Sequence, residues 1–340
     1  MKTSIEAGFA PAPDTVPAAR SLSSAAMTGQ LQRSALNGPT MGTRWSAVFY
    51  ATAATPTGTV QRALQSTVDE VDRQMSTWKP DSALNALNRA PPGTRSIVPP
   101  ELASVLALGL EVGAQSAGAF DIGAGDLIDA WGFGPPRREP DPQAIAALGS
   151  AARQPAGALL TVDPMTGMVS KLGPVQLDLS GIAKGFGVDQ LARALEQFGI
   201  DRYLVSIDGE LRTRGLKPGG EAWRVALERP ASDAREPDRI LEVGDGALAT
   251  SGDYRHSAIY DNQHISHSMD PRTGRPVSNR SIASVTVAAA TCVLADAWAT
   301  ALLVLGEDDG PRVAAQFELS AQFIIRNGEA YRSLAVGHFA

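Results

Sequence analysis

The sequence predicts an α+β protein, on three observations. Strand-like and helix-like segments come in blocks, without the regular strand–helix–strand alternation of a doubly wound sheet. Several strand segments are alternating and β-branched and are bounded by Gly/Pro-containing turns. No complete G-x-G-x-x-G follows a strand, so the dinucleotide fingerprint of parallel α/β sheets is missing. The 340 residues are 44% hydrophobic and 19% charged, enough to bury one large core or two smaller ones.

The elements follow in order. Residues 1–37 are rich in Ala, Pro and Ser and are expected to be disordered, leaving 38–340 as one domain. Gly42 to Ala51 alternates as a strand, and Val60 to Met75 has helical periodicity. Asp81 or Ser82 is placed to cap a short helix from Ala83 to Asn88. A helix from Pro100 to Ala117 starts on proline and stops before Gly118. Residues 136–157 are expected to be exposed. Leu159 to Leu179 holds two short strands around Pro164-Met165-Thr166-Gly167. Lys184 to Phe198 is a helix closed by Gly199, and Tyr203 to Ile207 is a buried strand. Strands and turns continue to Tyr260, with a hairpin around Asp261-Asn262-Gln263 and a turn at Asp270-Pro271-Arg272-Thr273-Gly274. A strand, a helix and a final strand pair complete the chain.

Ser284 to Gly306 has the length of a membrane span and one charge, Asp296. Its first part, Ser284-Val285-Thr286-Val287, is β-branched, whereas Cys292 to Leu305 is rich in Ala and Leu and stops at Gly306. The reading is a strand and then a buried helix. A lone carboxylate there is costly unless it has a partner, which makes Asp296 a functional candidate.

Composition and motifs exclude several classes. With 30 basic against 36 acidic residues, a net charge of −6 and no basic run, nucleic acid and anionic membranes are not expected partners. One cysteine, Cys292, rules out an internal disulfide framework and a multi-thiolate zinc site; its apolar helix makes it a core residue. There is no Gly-Lys dipeptide for a phosphate loop and no G-x-S-x-G elbow. His256, His264 and His267 lie close in sequence, but His264 and His267 point to opposite faces of a hairpin, which disfavours a zinc triad. The N-terminus has no apolar stretch of signal-peptide length and no lipobox-like cysteine. The expected compartment is therefore the cytoplasm for the chain as written, or the periplasm if a leader precedes it.

Two constellations carry chemistry. In Asp178-Leu179-Ser180-Gly181-Ile182-Ala183-Lys184-Gly185-Phe186, a strand ends and a helix begins, with Lys184 in the first helical turn. A lysine there opposes the helix dipole and suits an anion such as phosphate; a plain turn with a solvated lysine is the other reading. Asp296 and Thr300 stand one turn apart on one helix face. Carboxylate plus hydroxyl is a hard-oxygen set suited to Mg²⁺ and substrate phosphates; a buried aspartate capping a neighbouring loop is the alternative. Thr250-Ser251-Gly252-Asp253-Tyr254 and Ser266 to Gly274 add small residues, a histidine and an aspartate at strand ends, a weaker sign of a binding rim.

In this order the segments resemble the ApbE family, the FAD:protein FMN transferases, once labelled thiamine-biosynthesis lipoproteins. The likeness runs from Met41-Gly42-Thr43 to about Gly306. It passes through Met75-Ser76-Thr77-Trp78, Gly118-Ala119-Phe120-Asp121, Trp131-Gly132-Phe133-Gly134-Pro135, Asp178 to Gly185, Thr250 to Tyr254, His267 to Gly274 and Ala295-Asp296-Ala297. The resemblance implies two T-fold-like halves with FAD between them and Mg²⁺ on its pyrophosphate. It also implies that FMN passes to a threonine hydroxyl of an acceptor protein, releasing AMP. Met41, Trp78, Ala119, Phe120, Asp121, Asp178, Lys184, His267 and Met269 would contact FAD, and the Gly181 carbonyl, Asp296 and Thr300 would hold the metal. Lys184 would offset charge on the pyrophosphate and His267 would take the acceptor's proton.

Three residues depart from the family pattern: Trp78 in place of a frequent tyrosine, Asp208 in place of a usual glycine, and Ala299 where some members offer a further metal-binding aspartate. Two other functions share the same residues: a metal-dependent FAD pyrophosphatase giving FMN and AMP, and a flavin carrier without catalysis. Intact Lys184, Asp296, Thr300 and His267 count against the carrier. The acceptor is expected to be another protein. The nearest internal match to the family's acceptor context, Asp245-Gly246-Ala247-Leu248-Ala249-Thr250, has Leu248 at the hydroxyl position.

Overall fold

The computed structural model describes residues 30–135, 139–149, 153–228, 230, 237–253, 257–260, 263–277, 281–328 and 330–339. Its frame is one eight-stranded antiparallel sheet made of two similar halves. The first half is β1 (Gln32–Thr40), β2 (Thr43–Ala51), helix α1 (Thr57–Met75), helix α2 (Ala183–Gln197), β3 (Tyr203–Ile207) and β4 (Glu210–Arg214). The second is β5 (Gly246–Gly252), β6 (Ile282–Ala289), the long helix α3 (Cys292–Gln316), β7 (Ser320–Asn327) and β8 (Ala330–Val336). The strands lie side by side in chain order, β1 to β8. The halves meet at β4 and β5, which pair at three positions only, Thr213–Gly246, Arg212–Ala247 and Leu211–Leu248. Beyond Leu248, β5 leaves its neighbour, and a cleft opens there.

Local sequence accounts for this frame. In β2 the inward positions Trp45, Ala47, Phe49 and Ala51 are buried, with period 2. In α1 the buried Val60, Leu64, Val68, Val71 and Met75 form one stripe at helical spacing. These stripes meet Leu191, Leu195, Tyr203 and Val205 in the core of the first half. A larger core joins the second half to the helix Pro100–Gln115 through Leu102, Leu106, Leu302 and Phe323. Each such side chain contributes about 1.5–3 kcal/mol when fully buried.

The turn between β1 and β2 places Met41 at φ 46° and Gly42 at φ 73°. Two residues of positive φ match the right-handed twist of a hairpin, and the Met41 side chain reaches Gly187 of α2, where a Cβ would lie 3.3 Å from its terminal methyl. Helices α2 and α3 approach so closely that a Cβ on Gly185 would lie 2.4 Å from the Cys292 carbonyl oxygen. Gly185→Ala is therefore expected to force the helices apart, at about 1–3 kcal/mol. A lowered urea midpoint with unchanged m-value would record it, and an unaltered midpoint would show that the pair can absorb a methyl.

The structure corrects four boundaries. A strand begins at Gln32, inside the segment expected to be disordered, because its register from Gln32–Ala51 to Thr40–Thr43 is completed by β2; residues 1–29 lie outside the described residues. Ser82, rather than Asp81, caps the short helix, accepting from the Asn85 N–H at 3.0 Å, and that helix runs Ala83–Arg89. The helix from Pro100 ends at Gln115 because Ala117 (φ 53°) and Gly118 (φ 79°) are both left-handed. Gly306 (φ 83°) breaks the last helix as expected, yet a second helical piece continues to Gln316. The stretch from Ser284 is strand β6 followed by the buried helix, and no helix among the described residues is long and apolar enough to cross a membrane.

Three insertions surround the cleft. Residues 76–182, between α1 and α2, carry the helix Ala83–Arg89, the helix Pro100–Gln115, the helix Gly125–Ala130 and a small sheet of Arg95–Ile97, Met168–Lys171 and Leu160–Asp163. The hairpin Trp223–Glu228 with Pro237–Val243 lies between β4 and β5, and the hairpins Ser257–Tyr260/Gln263–Ser266 and Met269–Asp270/Arg275–Pro276 lie between β5 and β6. The Asp261-Asn262 turn and the residues Tyr254 and His256 fall outside the described residues, as does part of the segment 136–157.

Candidate active site

A cavity of about 940 Å³ opens where the sheet parts, within the size range of small-molecule and cofactor sites. All twelve site residues named from the sequence line it: Met41, Trp78, Ala119, Phe120, Asp121, Asp178, Gly181, Lys184, His267, Met269, Asp296 and Thr300. They come from both halves of the sheet and from two insertions.

The floor is polar. Asp296 on α3 is buried, and its Oδ2 accepts the N–H of Gly185 at 2.8 Å. The capping reading of this aspartate is thus realised, on a helix rather than a loop, and the side chain also lines the cavity. Burial, and then the Glu210 carboxylate, push its carboxyl up to about 7, against the pull of Lys184 and the Gly185 N–H. Thr300, one turn along, meets Ser251 Oγ at 3.1 Å. Gly181 lies so near that a Cβ there would be 3.2 Å from the Phe120 ring and 3.3 Å from Thr300 Oγ1, a tight fit that glycine relieves.

Lys184 is no solvated lysine. Its Nζ donates to Glu210 Oε1 at 2.8 Å and lies 3.8 Å from Asp208 Oδ2. Burial alone would lower its affinity for a proton; Glu210, Asp296 and Asp208 outweigh that and hold the ammonium above the ordinary lysine range. Glu210 is itself pushed up by burial, with Lys184 opposing, and its Oε2 is buried without a hydrogen-bond partner among the described residues. Three carboxylates therefore face one ammonium. Such an anionic floor, built of carboxylates and the Thr300 hydroxyl with the Gly181 backbone beside it, favours a hard cation.

The walls are fixed by Asp121 and Asp178, named from the sequence, and by Asn85, Asn88 and Lys171, which sequence reasoning missed. Asn85 Nδ2 donates to the carbonyls of Thr77 and Lys79, at 2.8 and 2.9 Å, and so shapes the loop bearing Trp78. Asn88 pairs with both backbone groups of Leu177, at 2.9 and 2.8 Å, just before Asp178. Burial raises the Asp178 carboxyl while hydrogen bonds from Ser180 oppose it. Asp121 accepts the N–H groups of Gly123 (2.8 Å) and Ala156 (3.2 Å), so its carboxylate also holds the wall together; burial raises it too. Lys171, buried and lowered by desolvation, donates to the Leu87 and Asn88 carbonyls that end the short helix. The only signal for Asn85, Asn88 and Lys171 was their polarity inside a short helix or strand.

At the mouth, Trp78 is 54% exposed, a ring on the rim rather than in the floor. His267 packs edge-on to Phe133, ring centroids 6.4 Å apart, and Met269 is buried against Trp131 and Leu127. Trp131 Nε1 donates to the Gly274 carbonyl at 3.2 Å, tying this corner to the Asp270–Gly274 turn. His264 sits in the strand Gln263–Ser266, but its side chain lies outside the described features. Among the described residues no cluster of three or more His, Cys, Asp or Glu has a metal-binding arrangement.

The departures acquire physical meaning. Asp208 stands at φ 54° in the two-residue turn joining β3 to β4, a left-handed position that suits glycine; aspartate tolerates it and brings a charge toward Lys184. Ala299 is fully buried in the core and does not line the cavity. Asp253, next to the lining residues Thr250–Gly252, turns away to a two-point pair with Arg326 at 2.6 and 2.9 Å. Cys292 is buried, as expected.

Fold and cavity together define an α+β protein whose two sheet halves enclose one site with a lysine and a hard-oxygen set on its floor. The ApbE family's sequence profile matches residues 41–324; the chain belongs to the ApbE family. It is 37% identical to a curated relative from Vibrio cholerae serotype O1 over 89% of this chain and 91% of that protein. It is 35% identical to one from Klebsiella pneumoniae, over 88% and 86%. Both relatives are called FAD:protein FMN transferase. The solved structure of the flavin transferase ApbE from Vibrio cholerae superposes with a TM-score of 0.80 at 34% identity, covering 91% of this chain and 98% of that one.

Proposed function

We propose that this chain moves FMN from FAD to a hydroxyl of an acceptor protein, a threonine, with release of AMP and with Mg²⁺ as the metal. The observation that carries this reading is the convergence of twelve residues, from Met41 to Thr300, on one cavity whose floor holds one ammonium among hard-oxygen groups. In the reaction the acceptor oxygen forms a bond to the phosphorus on the FMN side. The anhydride bond to the AMP phosphate breaks, and its electron pair leaves with AMP.

Catalysis here is positioning and charge stabilisation. Lys184, held as an ammonium by its carboxylate neighbours, faces the charge that builds on the anhydride oxygens. Asp296, Thr300 and the Gly181 carbonyl fit a magnesium ion, since all three are hard oxygen donors and the floor carries surplus negative charge. Once bound, the ion would neutralise the pyrophosphate. Phe120, Met41 and Met269 provide apolar surface for the isoalloxazine, and Trp78 closes over it from the rim. His267 takes the hydroxyl proton at a ring nitrogen, since imidazoles titrate near neutrality.

The acceptor on this reading is a second protein. Leu248 is buried and has no hydroxyl, and Thr250 Oγ1 is engaged with Thr286 Oγ1 at 2.9 Å. Incubation with FAD and Mg²⁺ should leave the intact mass of the chain unchanged and the flavin extractable by denaturation. A stable adduct of FMN mass on this chain would overturn the trans-acting reading. FMN and AMP produced at full rate, with or without an acceptor protein, would turn the proposal to a pyrophosphatase.

A further inference from the structure

Helices α2 and α3 each lack a side-chain cap of their own. Ile182, before α2, has no polar side chain to offer. Thr291, before α3, makes no capping bond, and its Oγ1 is buried without a partner among the described residues. The first amides of a helix are donors that must be satisfied when buried. Here the Ala183 N–H uses the Leu179 carbonyl at 2.8 Å, and other first-turn amides are taken up across the helix pair. Asp189, on the second turn of α2, accepts the N–H of Cys292 on Oδ1 and of Val293 on Oδ2, both at 3.0 Å. Asp296, on the second turn of α3, accepts the N–H of Gly185, the third residue of α2, at 2.8 Å.

Both aspartates are buried, 3% exposed each. Asp189 is anchored by Arg212 at 2.6 Å, on β4, the strand that also carries Glu210. The caps bracket the floor of the cavity: Lys184 precedes Gly185 in α2, and Thr300 follows Asp296 by one turn in α3. Each acceptor holds the first turn of its partner helix in one register; for Asp189, paired with Arg212, the helix dipole adds to this.

We propose that Asp189 is a positioning residue: with Asp296 it forms a reciprocal pair of helix caps that sets the separation of Lys184 from the Asp296–Thr300 pair. Its bearing on catalysis rests on the flavin-transfer reading; the reciprocity does not. Loss of either cap frees the register of the helix pair, so the amides held by the other cap also loosen.

Amide hydrogen exchange on the whole chain, without metal or FAD, tests this. Asp189→Ala should speed exchange at Cys292 and Val293, and also at Gly185 on the other helix, by about tenfold. Asp296→Ala should do the converse at Cys292 and Val293. Leu195→Ala, a core truncation on α2 that touches neither cap, corrects for general destabilisation. If Gly185 exchanges in Asp189→Ala no faster than in Leu195→Ala, the caps are independent and the proposal fails.

The functional arm uses FAD and Mg²⁺. Asp189→Ala should raise the Mg²⁺ needed for half-maximal turnover by about 10-fold to 100-fold, with the KM for FAD nearly unchanged and partial recovery in Asp189→Glu. Equal loss in Asp189→Ala and Leu195→Ala would reduce Asp189 to a structural role. If the unsubstituted chain transferred no flavin at all, the proposed function would fall while the exchange result stood.

Discussion

Lys184→Met is expected to lower FAD affinity by about 10-fold to 100-fold, the worth of a charge-assisted hydrogen bond to phosphate. Riboflavin, which lacks phosphate, should lose little. The same substitution strips the buried Glu210 of its partner at 2.8 Å, and an orphaned buried carboxylate costs about 3–5 kcal/mol. Glu210 escapes part of this by taking a proton, the direction in which burial already pushes it. The two effects separate in the double variant Lys184→Met/Glu210→Gln: removing both charges should restore most of the melting temperature and none of the FAD affinity. Titration of flavin fluorescence beside thermal melts would measure both. Equal losses for FAD and riboflavin would sink the assignment of Lys184 to the pyrophosphate.

That lysine illustrates how far the sequence could be read. Its place in the first turn of a helix, after a glycine, was plain from local order, because turn glycines and periodicity act over a few residues. Its partner was not. Glu210 lies 26 positions away on β4, brought near only by sheet register, and nothing in Ser206-Ile207-Asp208-Gly209-Glu210 points to Lys184. Asp208 was visible as a departure, but its meaning needed the φ of 54° that only the folded hairpin supplies. Asp296 declared itself by being the single charge in an apolar stretch, and Thr300 by helical spacing. The caps between α2 and α3 were hidden for the converse reason: Asp189 sits in a mixed-polarity helix, where an aspartate raises no suspicion. The strand from Gln32 was hidden by composition, since the edge strand β1 exposes about half its residues and reads as polar coil. The broad likeness to the ApbE family carried all twelve site residues to one cavity; the residues that hold the cavity in shape came only from the structure.

Asp296→Asn should abolish metal-dependent turnover while making the metal-free protein more stable at alkaline pH. The carboxyl titrates at about 7 in the folded chain, mainly because it is buried and faces Glu210, against about 4 when unfolded. Below about pH 4 both states are protonated and the group leaves stability unaffected. Between there and pH 7 the folded state holds the proton that the unfolded state has released, so stability falls as pH rises, and above 7 the full cost of the buried charge is felt. Asparagine keeps the carbonyl oxygen for the Gly185 N–H, at 2.8 Å in the native pair, and removes the charge. At pH 8 the variant should therefore melt higher, by about 5 °C, and its melting should depend less on pH between 5 and 8. Added Mg²⁺ should stabilise the unsubstituted protein with FAD, and not the variant, since a cation is what offsets the charge in the working site. Turnover should drop to background even at saturating FAD, because an amide is a poor ligand for a hard cation that keeps only a hydroxyl and a carbonyl beside it. A variant that melted lower at pH 8 would mean that the carboxylate, as an anion, is a net stabiliser of the fold. One that kept activity at limiting Mg²⁺ would remove Asp296 from the metal and leave it as the cap of α2 alone.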